Sequence, residues 1–230
     1  YKKLTSMITI VIPTINEEKN ISETLYKIVN TEELKKAQII IVDDGSKDQT
    51  INKVNTFKNK MNIKIIENNM KLGLGFALKK GFDAAQFPYV LFLDADLSVN
   101  INDILKLIKY RKKNTILIGS RYLKSSRIVG ANYIKIKISY FLNFLISKFY
   151  NLNIIDISYS FRIICKNIKL ESLNYTHPGF FWEITIKSKK KGVHLKEIPI
   201  TFTDRKFGVS KNKSYKMFLS ILKSMFNLIK

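Results

Sequence analysis

The stretch Tyr89-Val-Leu-Phe-Leu-Asp-Ala-Asp-Leu-Ser98 joins an apolar run, of the kind that forms a buried strand, to two carboxylates one residue apart. A buried charge is costly unless it is paired or bound to a metal, and open α/β sheets place their ligands at strand ends. Asp94 and Asp96 share one parity along an extended chain, so both could face one point. The residues therefore favour either a divalent cation with oxygen ligands and a substrate phosphate, or a strand followed by a polar loop with an Asp helix cap.

Apolar runs of the same kind alternate with helical spacing along the first half of the chain. The predicted strands are Met7–Pro13, Gln38–Val42, Asn62–Glu67, Pro88–Leu93 and Thr115–Gly119. The predicted helices are Glu17–Asn30, Asp48–Lys58, Gly75–Ala85 and Ile101–Lys112. This alternation indicates an α/β fold with a mostly parallel central sheet that helices cover on both faces.

The pattern changes after Gly119. The predicted segments are a polar loop Ser120–Asn132, a helix Tyr133–Tyr150 with a wide apolar face, a strand Ser158–Cys165, a helix Phe180–Lys191, a strand Val193–Phe202 and an amphipathic helix Ser214–Ile229. We therefore predict a catalytic domain over residues 1–212 and an amphipathic C-terminal helix over residues 213–230, which could lie at a membrane interface.

The composition limits the classes of protein that fit. At 230 residues with 46 % hydrophobic residues, the chain can bury a sizeable core. Its single cysteine, Cys165, excludes an internal disulfide framework. A net charge of +22, from 40 Lys and Arg against 18 Asp and Glu, favours anionic partners or reflects lysine used as a general solubiliser. We expect no nucleic-acid binding, because the basic residues form no recognisable motif with aromatics and acidic strand ends would repel phosphate.

Three acidic clusters follow the ends of predicted strands. They are Glu17 with Glu18, Asp43 with Asp44, and Asp94 with Asp96. In a parallel sheet they would gather along one edge, and a cation is the simplest way to relieve their mutual repulsion. Asp44 could instead accept hydrogen bonds from a base or ribose. The glycines of Lys71-Leu-Gly-Leu-Gly75 could let backbone N–H groups approach a phosphate, or serve tight packing between strand and helix.

Seven motifs together resemble a known family. Ile10-Val-Ile-Pro-Thr-Ile-Asn-Glu-Glu18, Val42-Asp-Asp-Gly-Ser46, Lys71-Leu-Gly-Leu-Gly75 and Asp94-Ala-Asp-Leu-Ser98 resemble the family 2 glycosyltransferases of GT-A fold. Gly119-Ser-Arg-Tyr122, Asp156-Ile-Ser-Tyr-Ser-Phe-Arg162 and Asp204-Arg-Lys-Phe-Gly-Val-Ser-Lys211 resemble the dolichol-phosphate mannose synthases and their polyprenol-phosphate relatives. The resemblance covers roughly residues 8–211, and the last motif is the most specific.

The resemblance implies a donor site. It implies a base and ribose pocket lined by Pro13, Glu17, Val42 and Asp44, with Ile15 where the family often has a stacking Tyr. It also implies that Asp94 and Asp96 hold Mg²⁺ or Mn²⁺ against the donor diphosphate, with Ala95 beside the sugar nucleotide. Ser98 stands where some relatives have a metal-binding Gln, so diphosphate and water are expected to complete the shell of the ion.

The resemblance also implies a catalytic set. Its members are Asp96, Arg121, Asp156, Arg162, Arg205 and Lys211. Arg121, Arg205 and Lys211 would contact donor or acceptor phosphates, and Asp156 and Arg162 would lie near the sugar or the acceptor phosphate. Two residues depart from the family pattern on the acceptor side: Tyr159 replaces a small residue, and Tyr140 stands where the family often has Arg.

The implied reaction is metal-dependent, inverting transfer of a hexose, with mannose from GDP-mannose favoured, to a polyprenyl or dolichyl phosphate. The product would be a lipid-linked sugar donor for glycosylation. Transfer of glucose from UDP-glucose is the alternative. A phosphate monoester has a second pKa of about 6, so the acceptor is largely dianionic near neutral pH and needs no strong base. We therefore interpret His177 and His194, which lie outside the motifs, as structural.

A lipid acceptor would account for the two amphipathic segments. Tyr133–Tyr150 and Ser214–Ile229 are either interfacial helices flanked by lysine or helices packed on the sheet. We expect the protein at the cytoplasmic face of a membrane, the endoplasmic reticulum in a eukaryote or the plasma membrane in a prokaryote. Small membrane subunits or a transmembrane segment after Lys230 are further expected partners. A membrane-surface scaffold with a degenerate site is the other class, which the intact Asp94 and Asp96 pair disfavours.

Overall fold

The computed structural model describes residues 7–170 and 179–205 of the chain. Its strands are β1 (Ile8–Thr14), β2 (Gln38–Asp43), β3 (Asn62–Glu67), β4 (Tyr89–Phe92), β5 (Thr115–Ser120), β6 (Arg127–Val129), β7 (Arg162–Cys165), β8 (His194–Pro199) and β9 (Thr201–Thr203). Its helices are α1 (Ile21–Val29), α2 (Thr50–Asn55), α3 (Leu74–Ala84), α4 (Ile101–Tyr110), α5 (Tyr133–Phe149) and α6 (Phe180–Lys190).

Seven of these strands form the central sheet, in the order β3-β2-β1-β4-β7-β5-β8. Strand β7 runs antiparallel to both neighbours, and all other pairs in the sheet are parallel. The carboxyl ends of β1, β2 and β4 therefore lie along one edge. The predicted α/β architecture with a mostly parallel sheet is confirmed. A short parallel pair, β6 with β9, lies apart from this sheet.

The central strands are buried on both faces because their apolar residues alternate between two cores. Val11 and Ile40 belong to the core that also contains apolar residues of α3 and α6. Ile10 and Ile39 belong to the opposite core, with α1 and α4. The result is a helix–sheet–helix sandwich, the arrangement expected when strands are continuously hydrophobic.

Some predicted boundaries were wrong in the second half. The loop predicted over 120–132 contains β6, which pairs with β9. The strand predicted over 193–202 is two strands, because β8 pairs with β5 up to Pro199 and the chain then leaves the sheet to join β6. Only the last four residues of the strand predicted over 158–165 form β7. The preceding residues form a loop at the sheet edge.

Helix α5 lies on the protein surface. It buries only Asn143, Ile146 and Ser147. Eight of its large apolar side chains are 40 to 68 % exposed, namely Tyr133, Ile134, Ile138, Tyr140, Phe141, Phe144, Leu145 and Phe149. These side chains do not pack on the sheet. The predicted helix Ser214–Ile229 lies outside the described residues. Across 7–170 and 179–205, no helix has the length and apolarity that a membrane crossing requires.

Candidate active site

A tight turn, not an extended strand, brings the two central carboxylates together. Strand β4 ends at Phe92, and the N–H of Leu97 donates to the carbonyl of Asp94 at 3.2 Å. Leu97 has φ +45°, a left-handed conformation that is costly for leucine and is typical of functional sites. The N–H of Ser98 donates to Asp96 Oδ1 at 3.1 Å. The argument from strand parity was therefore wrong, although the predicted proximity of the two charges holds.

The pair of carboxylates is electrostatically unfavourable without a cation. Burial and the charge of Asp96 raise the pKa of Asp94 to about 6, and Glu17 adds to the effect. Burial likewise raises the pKa of Asp96, against the opposing charge of Arg205. Arg205 Nη2 lies 3.2 Å from Asp96 Oδ2. The end of β4 is thus an acidic site partly neutralised by one arginine.

The donor atoms of this pair fit a hard divalent cation such as Mg²⁺ or Mn²⁺, which prefers carboxylate oxygen and keeps substrate or water ligands. Ser160 Oγ donates to Asp94 Oδ2 at 2.7 Å and so orients one carboxylate, as partners of metal ligands do. No group of three or more His, Cys, Asp or Glu side chains suited to a metal occurs in the described part of the chain. An ion at this pair would need ligands besides these two carboxylates to complete its shell.

Arg121 is held beside this site by Asp156. Its Nε and Nη2 donate to Asp156 Oδ2 and Oδ1, each at 2.8 Å, and its backbone N–H donates to Oδ2 at 2.9 Å. The guanidinium lies 4.6 Å from the ring centre of Tyr159 and 5.8 Å from that of Phe202. Burial opposes the charge of Arg121, but Asp156 outweighs it and raises the pKa above the usual value for arginine. Arg121 is therefore a permanently charged, fixed cation.

Tyr159 connects the Arg121 cluster to the acidic turn. Its hydroxyl lies 3.0 Å from Ser98 Oγ, and burial with the nearby charge of Asp94 raises its pKa well above 10. Two of the departures from the family pattern, Ser98 and Tyr159, are thus in direct contact. The Ser98 hydroxyl is engaged with the tyrosine.

Asp44 stabilises the glycine loop. Its Oδ1 accepts from the N–H of Leu72 at 2.8 Å and from Asn68 Nδ2 at 2.9 Å, and its Oδ2 accepts from the N–H of Gly73 at 2.8 Å. The N–H groups considered for a phosphate therefore bind a carboxylate of the protein. The neighbouring Asp43 accepts from the hydroxyls of Thr14 and Ser46.

Val42 and Arg162 are two of the predicted site residues that lie in the interior. Val42 is fully buried in the core. Arg162 is also fully buried, and it donates to the carbonyls of Ile157 and Tyr159 and to Thr185 Oγ1. Burial lowers its pKa to about 9, against the favourable charge of Asp156. The resemblance placed Arg162 near the sugar or the acceptor phosphate, but in the structure its guanidinium contacts groups within the fold.

The remaining predicted residues fall into three groups. Pro13, Ile15 and Glu17 are partly exposed at and after the end of β1, on the same edge as the acidic turn. Ala95 is buried, and its carbonyl accepts from Thr24 Oγ1 at 2.6 Å. Lys211 and His177 lie outside the described residues, and His194 is exposed in β8.

Sequence reasoning missed three side chains that shape the site: Ser160, Asn143 and Glu197. Ser160 lies inside a quoted motif, but the residues gave no sign that its hydroxyl meets Asp94. Glu197 did carry a signal, since it is an acidic residue within an otherwise apolar stretch, Glu197-Ile-Pro-Ile200. A part-buried carboxylate of this kind needs partners.

A mostly parallel sheet with an acidic turn at its carboxyl edge is typical of the GT-A fold. Residues 9–170 match the family described as glycosyl transferase family 2. The chain belongs to this family, which confirms the resemblance.

Two named relatives show which members of the family this chain is similar to. Over 229 residues the chain is 31 % identical to the dolichol-phosphate mannosyltransferase of Pyrococcus furiosus, an alignment that covers 97 % of this chain and 64 % of that protein. It thus spans slightly less than two thirds of that relative. It is 25 % identical over 209 residues to the undecaprenyl-phosphate mannosyltransferase of Micrococcus luteus, covering 87 % of this chain and 85 % of that protein.

Solved structures confirm the fold. The mannosyltransferase of Pyrobaculum calidifontis, in complex with GDP-Man and Mn²⁺, superimposes with a TM-score of 0.67 at 16 % identity, covering 95 % of this chain and 64 % of that one. The glucosyl-3-phosphoglycerate synthase of Mycobacterium tuberculosis, with Mn²⁺, UDP and glucosyl-3-phosphoglycerate, superimposes with a TM-score of 0.70 at 14 % identity, covering 96 % and 81 %.

Proposed function

We propose that this chain is the catalytic domain of a metal-dependent, inverting transferase that moves mannose from GDP-mannose to a polyprenyl or dolichyl phosphate. One observation carries the proposal: a part-buried acidic pair, Asp94 with Asp96, lies within reach of Arg205, whose Nη2 is 3.2 Å from Asp96 Oδ2. Such a site suits a cation and a diphosphate together. The two relatives named as polyprenol-phosphate mannosyltransferases support the choice of sugar and acceptor.

On the donor side, Asp94 and Asp96 would hold Mg²⁺ or Mn²⁺. When bound, the ion would neutralise negative charge on the nucleoside diphosphate leaving group. In the structure Arg205 neutralises Asp96. Once the metal ion binds this carboxylate, Arg205 would turn to the donor phosphates. Glu17 and Asp44 follow the neighbouring strand ends, where they support binding of the base and ribose.

On the acceptor side, the nucleophile is a phosphate oxygen that is already charged at neutral pH, so no general base is required. What the acceptor needs is fixed positive charge. Arg121 supplies it, because Asp156 holds the guanidinium in one orientation and 12 % of the side chain stays exposed. Lys211 is proposed as a second cation from the motif alone. Direct displacement at the anomeric carbon by this oxygen would invert its configuration.

The substrate test is a transfer assay with GDP-mannose, UDP-glucose and UDP-GlcNAc, each with a short polyprenyl phosphate and Mn²⁺, and with chelator as control. We expect mannosyl transfer that chelator abolishes and a product of inverted configuration. Turnover with UDP-glucose alone would replace the proposal with the glucosyltransferase alternative. Absence of turnover with every donor, together with strong duplex DNA binding, would refute it.

We propose further that α5 holds the domain on the cytoplasmic face of a membrane. Its exposed aromatic and aliphatic side chains share the helix with Lys135, Lys137 and Lys148. Apolar side chains flanked by lysine are typical of helices that lie in an anionic bilayer surface. The helix also reaches the site region, since Tyr122 Oη donates to Ser139 Oγ at 2.8 Å.

This proposal is tested by sedimentation with phosphatidylglycerol vesicles, using phosphatidylcholine vesicles for comparison. The double variant Ile138→Ser, Phe141→Ser should lose most binding to the anionic vesicles. The double variant Tyr26→Ser, Met70→Ser removes equally exposed apolar side chains elsewhere and should bind as the unaltered protein does. Equal binding by both double variants would contradict the assignment of α5.

A further inference from the structure

The loop over residues 154–160, here named the Asp156 loop, joins α5 to β7 and carries several contacts of the candidate site. Asp156 fixes Arg121, the Tyr159 hydroxyl meets Ser98, and Ser160 donates to Asp94. One short segment therefore sets the position of both the cation proposed for the acceptor and a carboxylate proposed for the metal. The contacts that hold this loop in place therefore also bear on the proposed reaction.

Several backbone groups of the loop are held by side chains from other elements, and the N–H of Ile157 donates within the loop to the carbonyl of Ile155. Four consecutive N–H groups, from 155 to 158, all donate hydrogen bonds. The N–H of Ser158 donates to Asn143 Oδ1 of α5 at 2.9 Å. The carbonyls of Ile157 and Tyr159 accept from Arg162 of β7. Buried polar networks of this kind, when every group is satisfied, impose a single conformation.

Glu197 is the anchor that holds the backbone of Asp156 itself. Its Oε1 accepts from the N–H of Asp156 at 2.6 Å, and its Oε2 accepts from the N–H of Ile155 at 2.8 Å. Both carboxylate oxygens thus bind neighbouring amides of the loop. Glu197 lies opposite Ile118 in the β5–β8 register, and β5 runs on directly to Arg121. The glutamate therefore holds Asp156 from one strand while Asp156 holds the arginine that follows the next strand.

We propose that Glu197 is a positioning residue for the transfer reaction, acting through Asp156 on Arg121. Two charge-assisted hydrogen bonds to successive N–H groups fix the peptide from which the Asp156 side chain extends. The carboxylate of Asp156 then fixes the guanidinium in the bidentate geometry that the structure shows. Glu197 itself touches no reacting atom.

The first test is kinetic and rests on the proposed function. Glu197→Gln keeps the size of the side chain but places an amide N–H₂ against a backbone N–H, so one anchor bond is lost. We expect kcat/KM for polyprenyl phosphate to fall at least tenfold. In an Arg121→Lys background the same change should cost less than twofold, because the group it positions is already gone. Glu33→Gln, exposed before β2 at the opposite sheet edge, should change neither value.

The second test does not depend on turnover. The side-chain Nε–H signal of Arg121 in a ¹⁵N spectrum, identified by its loss in Arg121→Lys, reports the bond to Asp156. Glu197→Gln should shift this signal and speed its exchange with solvent, while Glu33→Gln should not. If Glu197→Gln does not fold, Glu197→Asp serves, since its shorter carboxylate cannot keep both anchor bonds.

Different results would refute the positioning role, the action through Arg121 and the proposed function. An unchanged Arg121 signal in the folded Glu197 variant would overturn the positioning role whatever the reaction. If Glu197→Gln lowers kcat/KM as much in the Arg121→Lys background as in the unaltered protein, Glu197 does not act through Arg121. Inactivity of the unaltered protein with every donor would overturn the proposed function, and the spectrum would still decide the role of Glu197.

Discussion

Replacing Asp94 with Asn should stabilise the protein in the absence of metal. Burial and the charge of Asp96 raise the pKa of Asp94 from 3.8 to about 6. A difference of this size makes the charged carboxylate about 3 kcal/mol less favourable in the fold than in the unfolded chain. Part of Asp94 is exposed, so solvent screening reduces the effect, and we expect a gain of about 1 to 2 kcal/mol. The amide oxygen can still accept the hydrogen bond from Ser160.

The sign of the pH dependence follows from the raised pKa. Because the folded protein binds this proton more tightly than the unfolded chain does, the contribution of Asp94 to stability is complete below about pH 4 and is lost as the pH rises through 6. The Asp94→Asn protein carries no such group. The two proteins should therefore be equally stable near pH 4 and differ fully above pH 7.

The measurement is urea unfolding with chelator present, across pH 4 to 8. Asp83→Asn is the matched control: it changes the net charge equally, but the Asp83 side chain is 55 % exposed and pairs with Lys79 in α3. Added Mn²⁺ should stabilise the unaltered protein by mass action and leave the Asp94→Asn protein unchanged. A variant no more stable than the original at pH 7.5, or a gain independent of pH, would refute the reasoning.

Three further outcomes are expected. Asp96→Ala should abolish sugar transfer while leaving the circular dichroism spectrum intact, because it removes a proposed metal ligand at the sheet edge; unchanged turnover would contradict the metal site. Arg162→Met should lower the free energy of unfolding by about 3 kcal/mol or more, because several buried acceptors lose their donor; a loss below 1 kcal/mol in urea would argue against a structural role. Gly81→Ala should cost about 1 to 3 kcal/mol, because a Cβ there would overlap Val11 of β1; a rise in the thermal midpoint would show that α3 can move away.

The alternating strands and helices could be predicted from the sequence because parallel strands buried on both faces are continuously apolar. The position of β7 could not. Its four residues, Arg162–Cys165, are apolar after the arginine and resemble any buried strand. The local pattern specifies neither the direction of this strand nor its neighbours in the sheet. Both depend on how the two halves of the sheet meet.

The candidate site was likewise predictable from the sequence only in part. The motif around Asp94 and Asp96 was predictable, but the tight turn from Asp94 to Leu97 was not, since it ends in a left-handed conformation that leucine rarely adopts. The motif ending at Arg162 indicated an important arginine and placed it near the sugar or the acceptor phosphate, whereas its guanidinium donates to groups within the fold. Glu197 has partners more than 40 residues away in the sequence, so no local pattern could reveal them.

The insertion of β7 between β4 and β5 has a consequence for folding kinetics. Tyr89 pairs with Cys165, so the centre of the sheet closes only after the intervening chain has been ordered. Closure of a loop this long is slow and is typical of late folding steps. During synthesis, β1 to β4 emerge with the edge of β4 unpaired, and such edges are prone to association with other chains. Because the Asp156 loop leads directly into β7, Asp94 gains its Ser160 partner in the same step that seals the sheet.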